Sequence, residues 1–115
     1  MHELSIAMSI VEMVEEESAR RGGLQVAAVH LRIGQLAGVV KEALVSSYEM
    51  ACADTPLEGS QLVVEEVPVV MYCPSCDARQ PVLASEWFNC PECGASVTEI
   101  VQGKELEVVS LEVDE

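Results

Sequence analysis

Hydrophobic residues recur with a helical period at the start of the chain. Leu4, Ala7, Met8, Val11 and Val14 follow the i, i+3, i+4, i+7 spacing, while Glu12 and Glu15 to Glu17 fall on the polar side. The spacing predicts a helix from Leu4 to about Arg21. Arg20 and Arg21 suit the negative end of its dipole, and Gly22-Gly23 supplies the left-handed backbone that closes a helix. The period then changes to two. Val29, Leu31 and Ile33 alternate with His30 and Arg32, which predicts a strand over 26–36 with one buried face. Gly34 and Gly38 bracket a turn, and a second helix is predicted from Lys41 to Ala53, with Leu44, Ser47, Tyr48, Ala51 and Cys52 on one stripe. Pro56 and Gly59 stop it.

A Val-rich strand is predicted from Leu62 to Tyr72, with Pro68 implying an edge position or a bulge. Another is predicted from Glu105 to Val113, where Val109, Leu111 and Val113 alternate against Ser110 and Glu112. A cysteine-rich segment lies between these two strands, which is the signature of an insertion. The expected fold is α+β: a three-stranded sheet with two helices from residues 1–72 and 104–115, and an inserted four-cysteine, zinc-ribbon-like module at 73–103.

Composition narrows this picture. Half of the residues are hydrophobic but only 3% are aromatic, so the core must be aliphatic. The net charge of −14 repels phosphate backbones and anionic lipid heads, which excludes nucleic acid and membrane surfaces as partners. No apolar run approaches the ~18 residues that span a bilayer. The start lacks a basic segment followed by an apolar one and turns acidic by Glu12, so a cytoplasmic protein is expected. The carboxylates keep a small apolar domain soluble, and would also attract metal cations or a basic partner.

The strongest chemical signal is a pair of Cys-Pro-x-Cys knuckles, Cys73-Pro74-Ser75-Cys76 and Cys90-Pro91-Glu92-Cys93, thirteen residues apart. A two-residue gap lets one tight turn aim two sulfurs at one ion, and the proline fixes φ and helps expose backbone N–H groups to the thiolates. Two knuckles give a tetrahedral set of four sulfurs, which suits Zn²⁺ or a single iron. A disulfide framework is the competing reading; adjacent bridges across two-residue gaps would be poor staples in a cytosolic domain. With every position filled by sulfur, the site is structural and activates no water, and zinc is preferred over iron. Cys52, on the apolar stripe of the second helix, reads as a small core hydrophobe.

Two histidines occur. His30 alternates out of the buried face of its strand and needs no function. His2 stands where an amino-terminal x-His sequence presents nitrogen donors. The terminal amine of Met1, the His2 amide and the His2 imidazole close five- and six-membered rings; alternatively the amides of His2 and Glu3 bind together with that imidazole. Either set places three nitrogens in one plane and leaves a fourth corner open, a field that suits Ni²⁺ or Cu²⁺ rather than Zn²⁺. A solvated histidine on a frayed terminus is the alternative.

With these features in view, the chain resembles the HypA/HybF family of hydrogenase nickel-incorporation proteins over essentially its full length. The matching residues are Met1-His2-Glu3-Leu4-Ser5-Ile6, Gly34-Gln35-Leu36-Ala37-Gly38-Val39, Glu58-Gly59 before a Val-rich strand, and the four cysteines in order. The resemblance implies a nickel metallochaperone that delivers Ni²⁺ during maturation of nickel-iron hydrogenase, without catalytic turnover; urease stays open as a further client. It implies a nickel site on His2, with Glu3 giving a backbone or carboxylate contact, and structural Zn²⁺ at Cys73, Cys76, Cys90 and Cys93; the Met1 amine remains one of the two donor sets that the chelate chemistry allows. It also implies two partners, the GTPase HypB and the nickel-iron hydrogenase large-subunit precursor. Ala37 stands where a serine is common, and the cysteine module carries no histidine that would fill the fourth nickel corner. Two other readings stay open: a zinc-ribbon interaction adaptor in which His2 does nothing, and a rubredoxin-like iron electron carrier. An enzyme is not expected, since neither His30 nor Cys52 is spaced to pair as base and nucleophile.

Overall fold

The computed structural model describes residues 2–82, 88–96 and 99–114. Helix α1 (Glu3–Arg20) is followed by strand β1 (Gln25–Gly34), helix α2 (Lys41–Cys52), β2 (Gln61–Val67), β3 (Val70–Cys73), β4 (Ala78–Pro81), β5 (Glu99–Gln102) and β6 (Leu106–Asp114). They form two three-stranded sheets, ordered β2-β1-β6 and β4-β3-β5. The architecture is α+β, as the sequence predicts. By packing, Met1–Arg32, Gly38–Glu65 and Glu107–Glu115 make one compact unit, and Ile33–Ala37 with Glu66–Leu106 make the other.

In the first unit, α1 packs on α2. The buried stripe of α1 is Ala7, Ile10, Val11 and Val14, whereas Leu4 and Met8 are 44% and 59% exposed. Both sets satisfy a helical period, because apolar residues cover most of the helix circumference at this end, so periodicity could not choose between them. The helix ends in a Schellman motif: Gly23 donates to the Ser18 carbonyl at 2.8 Å and Gly22 to that of Ala19 at 3.3 Å, with φ of +91° and +83°. Arg20 and Arg21 both reach back to the Glu17 carboxylate. Val26, Ala28, Val29 and Leu31 of β1 and Leu44, Tyr48 and Cys52 of α2 are buried as well, so this core is aliphatic but for one phenol.

That phenol is hydrogen-bonded. Tyr48 lies 2.7 Å from the Ser60 hydroxyl, and Ser60 donates in turn to the Leu57 carbonyl at 2.6 Å. Burial, opposed by the Ser60 hydrogen bond, pushes Tyr48 up to about 12 from its ordinary 10.0. A phenol harder to ionise when folded stabilises the fold fully below pH 10, and that contribution is lost as pH rises toward 12. Alkaline titration followed by tyrosinate absorbance should therefore show Tyr48 ionising together with unfolding. Tyr48→Phe should cost about 1 kcal/mol at neutral pH, through the lost hydrogen bond to Ser60, which keeps its bond to Leu57, and lose less on going alkaline. Reversible ionisation of Tyr48 near its ordinary pKa in a folded chain would contradict this.

The predicted strand 62–72 is in fact two. It breaks at Pro68-Val69, and β2 and β3 belong to different sheets. Proline has no N–H for a ladder, so the chain leaves one sheet there and enters the next. Strand β3 pairs antiparallel with β4, Cys73 opposite Ala78, and with β5, Met71 opposite Ile100. Neither β4 nor β5 was expected from the sequence. The segment just after β1 is tied down within its own unit: Gln35 donates to the Val67 carbonyl at 3.1 Å, and Leu36 to that of Gly103 at 2.7 Å.

Candidate metal centre

Each cysteine knuckle is the turn of a hairpin. The first, Cys73 to Cys76, joins β3 to β4. The second, Cys90 to Cys93, is bracketed by an isolated bridge between Asn89 and Ser96, and is closed by the Cys90 N–H on the Ala95 carbonyl and the Gly94 N–H on the Cys90 carbonyl, both at 2.8 Å. Both turns reverse on a left-handed residue directly after the second cysteine, Asp77 at φ +49° and Gly94 at φ +74°. Aspartate is among the few side chains that tolerate this region, and its carboxylate accepts from the Tyr72 hydroxyl.

The turns bring the four sulfurs within 4.8 Å of one another. Cys73 lies 3.6 Å from Cys93, and Cys76 lies 3.8 Å from Cys90. Metal–sulfur bonds of about 2.3 Å give a tetrahedron with edges of about 3.8 Å, so the spacing fits one Zn²⁺ or Fe ion. It is far beyond the ~2.0 Å of a disulfide, and all the cysteines are free thiols. The backbone N–H of Cys93, and then that of Glu92, lower Cys90 to about 7, whereas the neighbouring sulfurs of Cys93 and Cys90 push Cys76 up to about 12. The second knuckle thus prepares one thiolate near neutral pH, and a cation is needed to hold all four.

Cys73 and Cys90 are buried, Cys76 is half-buried and Cys93 is exposed. Around them pack Val69, Met71 and Val82, with Leu36, Ala95 and Ile100 against that cluster. These supporting residues were missed at the sequence level. They come from four stretches of chain, and only the placement of Asp77 directly behind a knuckle carried a local signal.

At the chain start, Met1 lies outside the described residues. His2 is exposed and is the N-cap of α1 in extended backbone, with no side-chain cap. Its carbonyl accepts the first helical bond, from the Ile6 N–H at 3.2 Å. Glu3 opens the helix, and the first N–H groups of a helix have no partner within it. The Glu3 carboxylate accepts the Val40 N–H at 3.3 Å, at the start of α2, where an anion suits the helix dipole. His30, expected to be simply solvated, is half-buried and lies 3.0 Å from Glu112. Cys52 is a core residue, as expected, and burial raises its thiol. Among the described residues, no helix is long and apolar enough to cross a membrane.

Comparison with known proteins bears on both ends of the chain. Residues 1–113 match the model of the family described as HypA, hydrogenase/urease nickel incorporation, metallochaperone. A protein of a Roseiflexus species named hydrogenase maturation factor HypA is 47% identical over 115 residues, covering 100% of this chain and 94% of its own. One of the same name from Chloroflexus aurantiacus is 49% identical over 112 residues, covering 97% and 98%. The solution structure of the Ni metallochaperone HypA from Helicobacter pylori superposes with a TM-score of 0.68 at 25% identity, covering 98% of this chain and 97% of its own.

Proposed function

The chain belongs to the HypA family of nickel-incorporation metallochaperones for hydrogenase maturation, and from that premise we propose that it holds Ni²⁺ at its first residues and hands it to the large-subunit precursor of nickel-iron hydrogenase. The GTPase HypB is its proposed partner in loading or release. Residues 73–103 form the proposed zinc module, and 1–72 with 104–115 the nickel-binding domain. Zn²⁺ on Cys73, Cys76, Cys90 and Cys93 supplies a structural cross-link between the two knuckles and no reaction chemistry.

The observation that carries this reading is the contrast between two donor sets. The sulfur set is closed, with four ligands for four corners. The set at the start is open: the His2 imidazole is exposed, and the amides of His2 and Glu3 take no part in the helix ladder, so metal can replace their protons without breaking α1. Because the Glu3 carboxylate already receives the Val40 N–H, the Glu3 contribution that fits best is its backbone nitrogen. A carrier must release its ion, and three nitrogens with an exchangeable fourth corner serve that need better than a cage.

The experiment is nickel titration of zinc-loaded protein with an unmodified terminus. A planar complex of amide and imidazole nitrogens is expected, diamagnetic and weakly coloured, tightening as pH rises because amide protons are displaced. His2→Ala should abolish it, while His30→Ala and Cys52→Ala should leave it unchanged. An added N-terminal tag should weaken binding strongly if the Met1 amine is a ligand, and little if the Glu3 amide is. Native affinity in His2→Ala would remove the carrier reading and leave the zinc-ribbon adaptor in its place.

A further inference from the structure

Strand β6 is an outer strand of the sheet β2-β1-β6, nine residues long, and among the described residues no strand pairs with its free side. Outer strands are ordinarily kept from recruiting other chains by charged side chains, proline or short length. The sequence Leu-Glu-Val-Val-Ser-Leu-Glu-Val-Asp of β6 is long, holds no proline, and carries charge of one sign only, which guards it against acidic strands but not against basic ones. Its apolar side chains are also incompletely covered. Val109, Leu111 and Val113, expected to form a buried face, instead line a groove of about 560 Å³ against Met13 of α1, and Val109, Val113 and Met13 remain 50%, 42% and 50% exposed. Helix α1 stops short of covering them.

We infer that the free edge of β6 and this groove form a docking site for an extended partner segment that is apolar on one side and basic on the other. The segment adds a strand beside β6. Its backbone takes up the free N–H and C=O groups, and every second side chain, about 7 Å apart, drops into the groove beside Met13. The intervening side chains lie on the other face of the sheet, with Ser110, Glu112 and Asp114, where Glu112 lies 3.0 Å from His30.

Charge selects the occupant. Strand β6 carries three acidic residues and no basic one, in a chain of net charge −14. A second copy paired edge to edge would set these carboxylates against their own images, which is unfavourable for cross-strand neighbours. The same acids that block self-pairing favour lysine or arginine at the alternating positions of a partner strand. Arg20 and Arg21, at the groove wall, are drawn onto Glu17 and so leave the apolar floor accessible. This site involves neither metal centre and stands independently of the nickel reading.

The test uses full-length zinc-loaded protein and a synthetic peptide of alternating valine and lysine, with an alternating valine–glutamate peptide and a valine–lysine peptide interrupted by proline as controls. Binding of the first peptide alone is expected, with new amide-exchange protection on β6 and none on the other outer strand, β2. Val109→Lys should weaken binding by about tenfold or more, and Met13→Lys across the groove should do the same if the strand variant folds poorly. Protection absent from β6, or affinity indifferent to both substitutions, would overturn the proposal and leave only bulk attraction between opposite charges. Concentration-dependent dimers with β6 protected in the absence of peptide would overturn it too, by making a second copy the occupant.

Discussion

Cys90→Ser should release the resident metal and unfold the cysteine unit while both helices persist. Cys90 is only 3% exposed, lies 3.8 Å from Cys76, and belongs to the buried cluster with Val69, Met71, Cys73 and Val82. The substitution removes a thiolate that backbone N–H groups have already stabilised, and leaves three sulfurs with a poor alcohol ligand. Structural zinc contributes roughly 10–16 kcal/mol of apparent binding free energy in small zinc-finger peptides, so losing one ligand outweighs what this cluster of a few aliphatic side chains supplies. Helices α1 and α2 both lie in the other unit, so far-ultraviolet helical signal should survive while the amide resonances of residues 66–82 and 99–106 collapse towards random-coil positions. A metal-free variant with an undisturbed spectrum would show that the unit folds without its ion.

The second large effect is expected at a residue with no polar chemistry. A Cβ added at Gly34 would stand 2.1 Å from both the carbonyl carbon and oxygen of Gly103 and 2.5 Å from the Lys104 nitrogen. These are backbone atoms, so no rotamer change relieves the overlap. The contact is fixed from both sides, with the Gly34 N–H on the Glu105 carbonyl at 2.8 Å and the Leu36 N–H on the Gly103 carbonyl at 2.7 Å. Gly34→Ala must therefore prise the end of β1 from the segment after β5, at a cost of about 3 kcal/mol or more and a fall in melting temperature on the order of 10 °C. Gly22→Ala is the control: it meets no atom within 4 Å and suffers only from φ of +83°, so its cost should be about 1 kcal/mol. Equal melting temperatures for the two variants would refute the steric account.

How much of this was legible in the sequence depends on whether the cause was local. The end of α1 was, because Gly22-Gly23 both permits and completes the Schellman hydrogen bonds. The clustering of the four cysteines was legible too, since each knuckle is a four-residue turn whose proline and spacing act within the turn. The identity of the buried stripe on α1 was not: Leu4 and Met8 are as apolar as Ile10, and only packing against α2 decides which side faces inward. Strands β4 and β5 were missed because each is four residues long, and β4, Ala-Arg-Gln-Pro, has no apolar alternation to reveal it. Likewise the Glu3 contact with Val40 and the His30 contact with Glu112 join residues 37 and 82 positions apart, beyond any pattern along the chain. Pro68 was noticed as an anomaly within a strand, but its consequence, a change of sheet, follows from which strands β2 and β3 pair with.

The central claim is that one chain holds two metals in chemically separate sites, a closed sulfur cage and an open nitrogen site at its start. X-ray absorption at the zinc and nickel edges, on zinc-loaded protein given one equivalent of Ni²⁺, tests it most directly. The account predicts zinc with four sulfurs at about 2.3 Å before and after nickel addition, and nickel with nitrogen donors and no sulfur. Nickel–sulfur scattering, or zinc released as nickel enters, would contradict it by placing both metals in competition for Cys73, Cys76, Cys90 and Cys93.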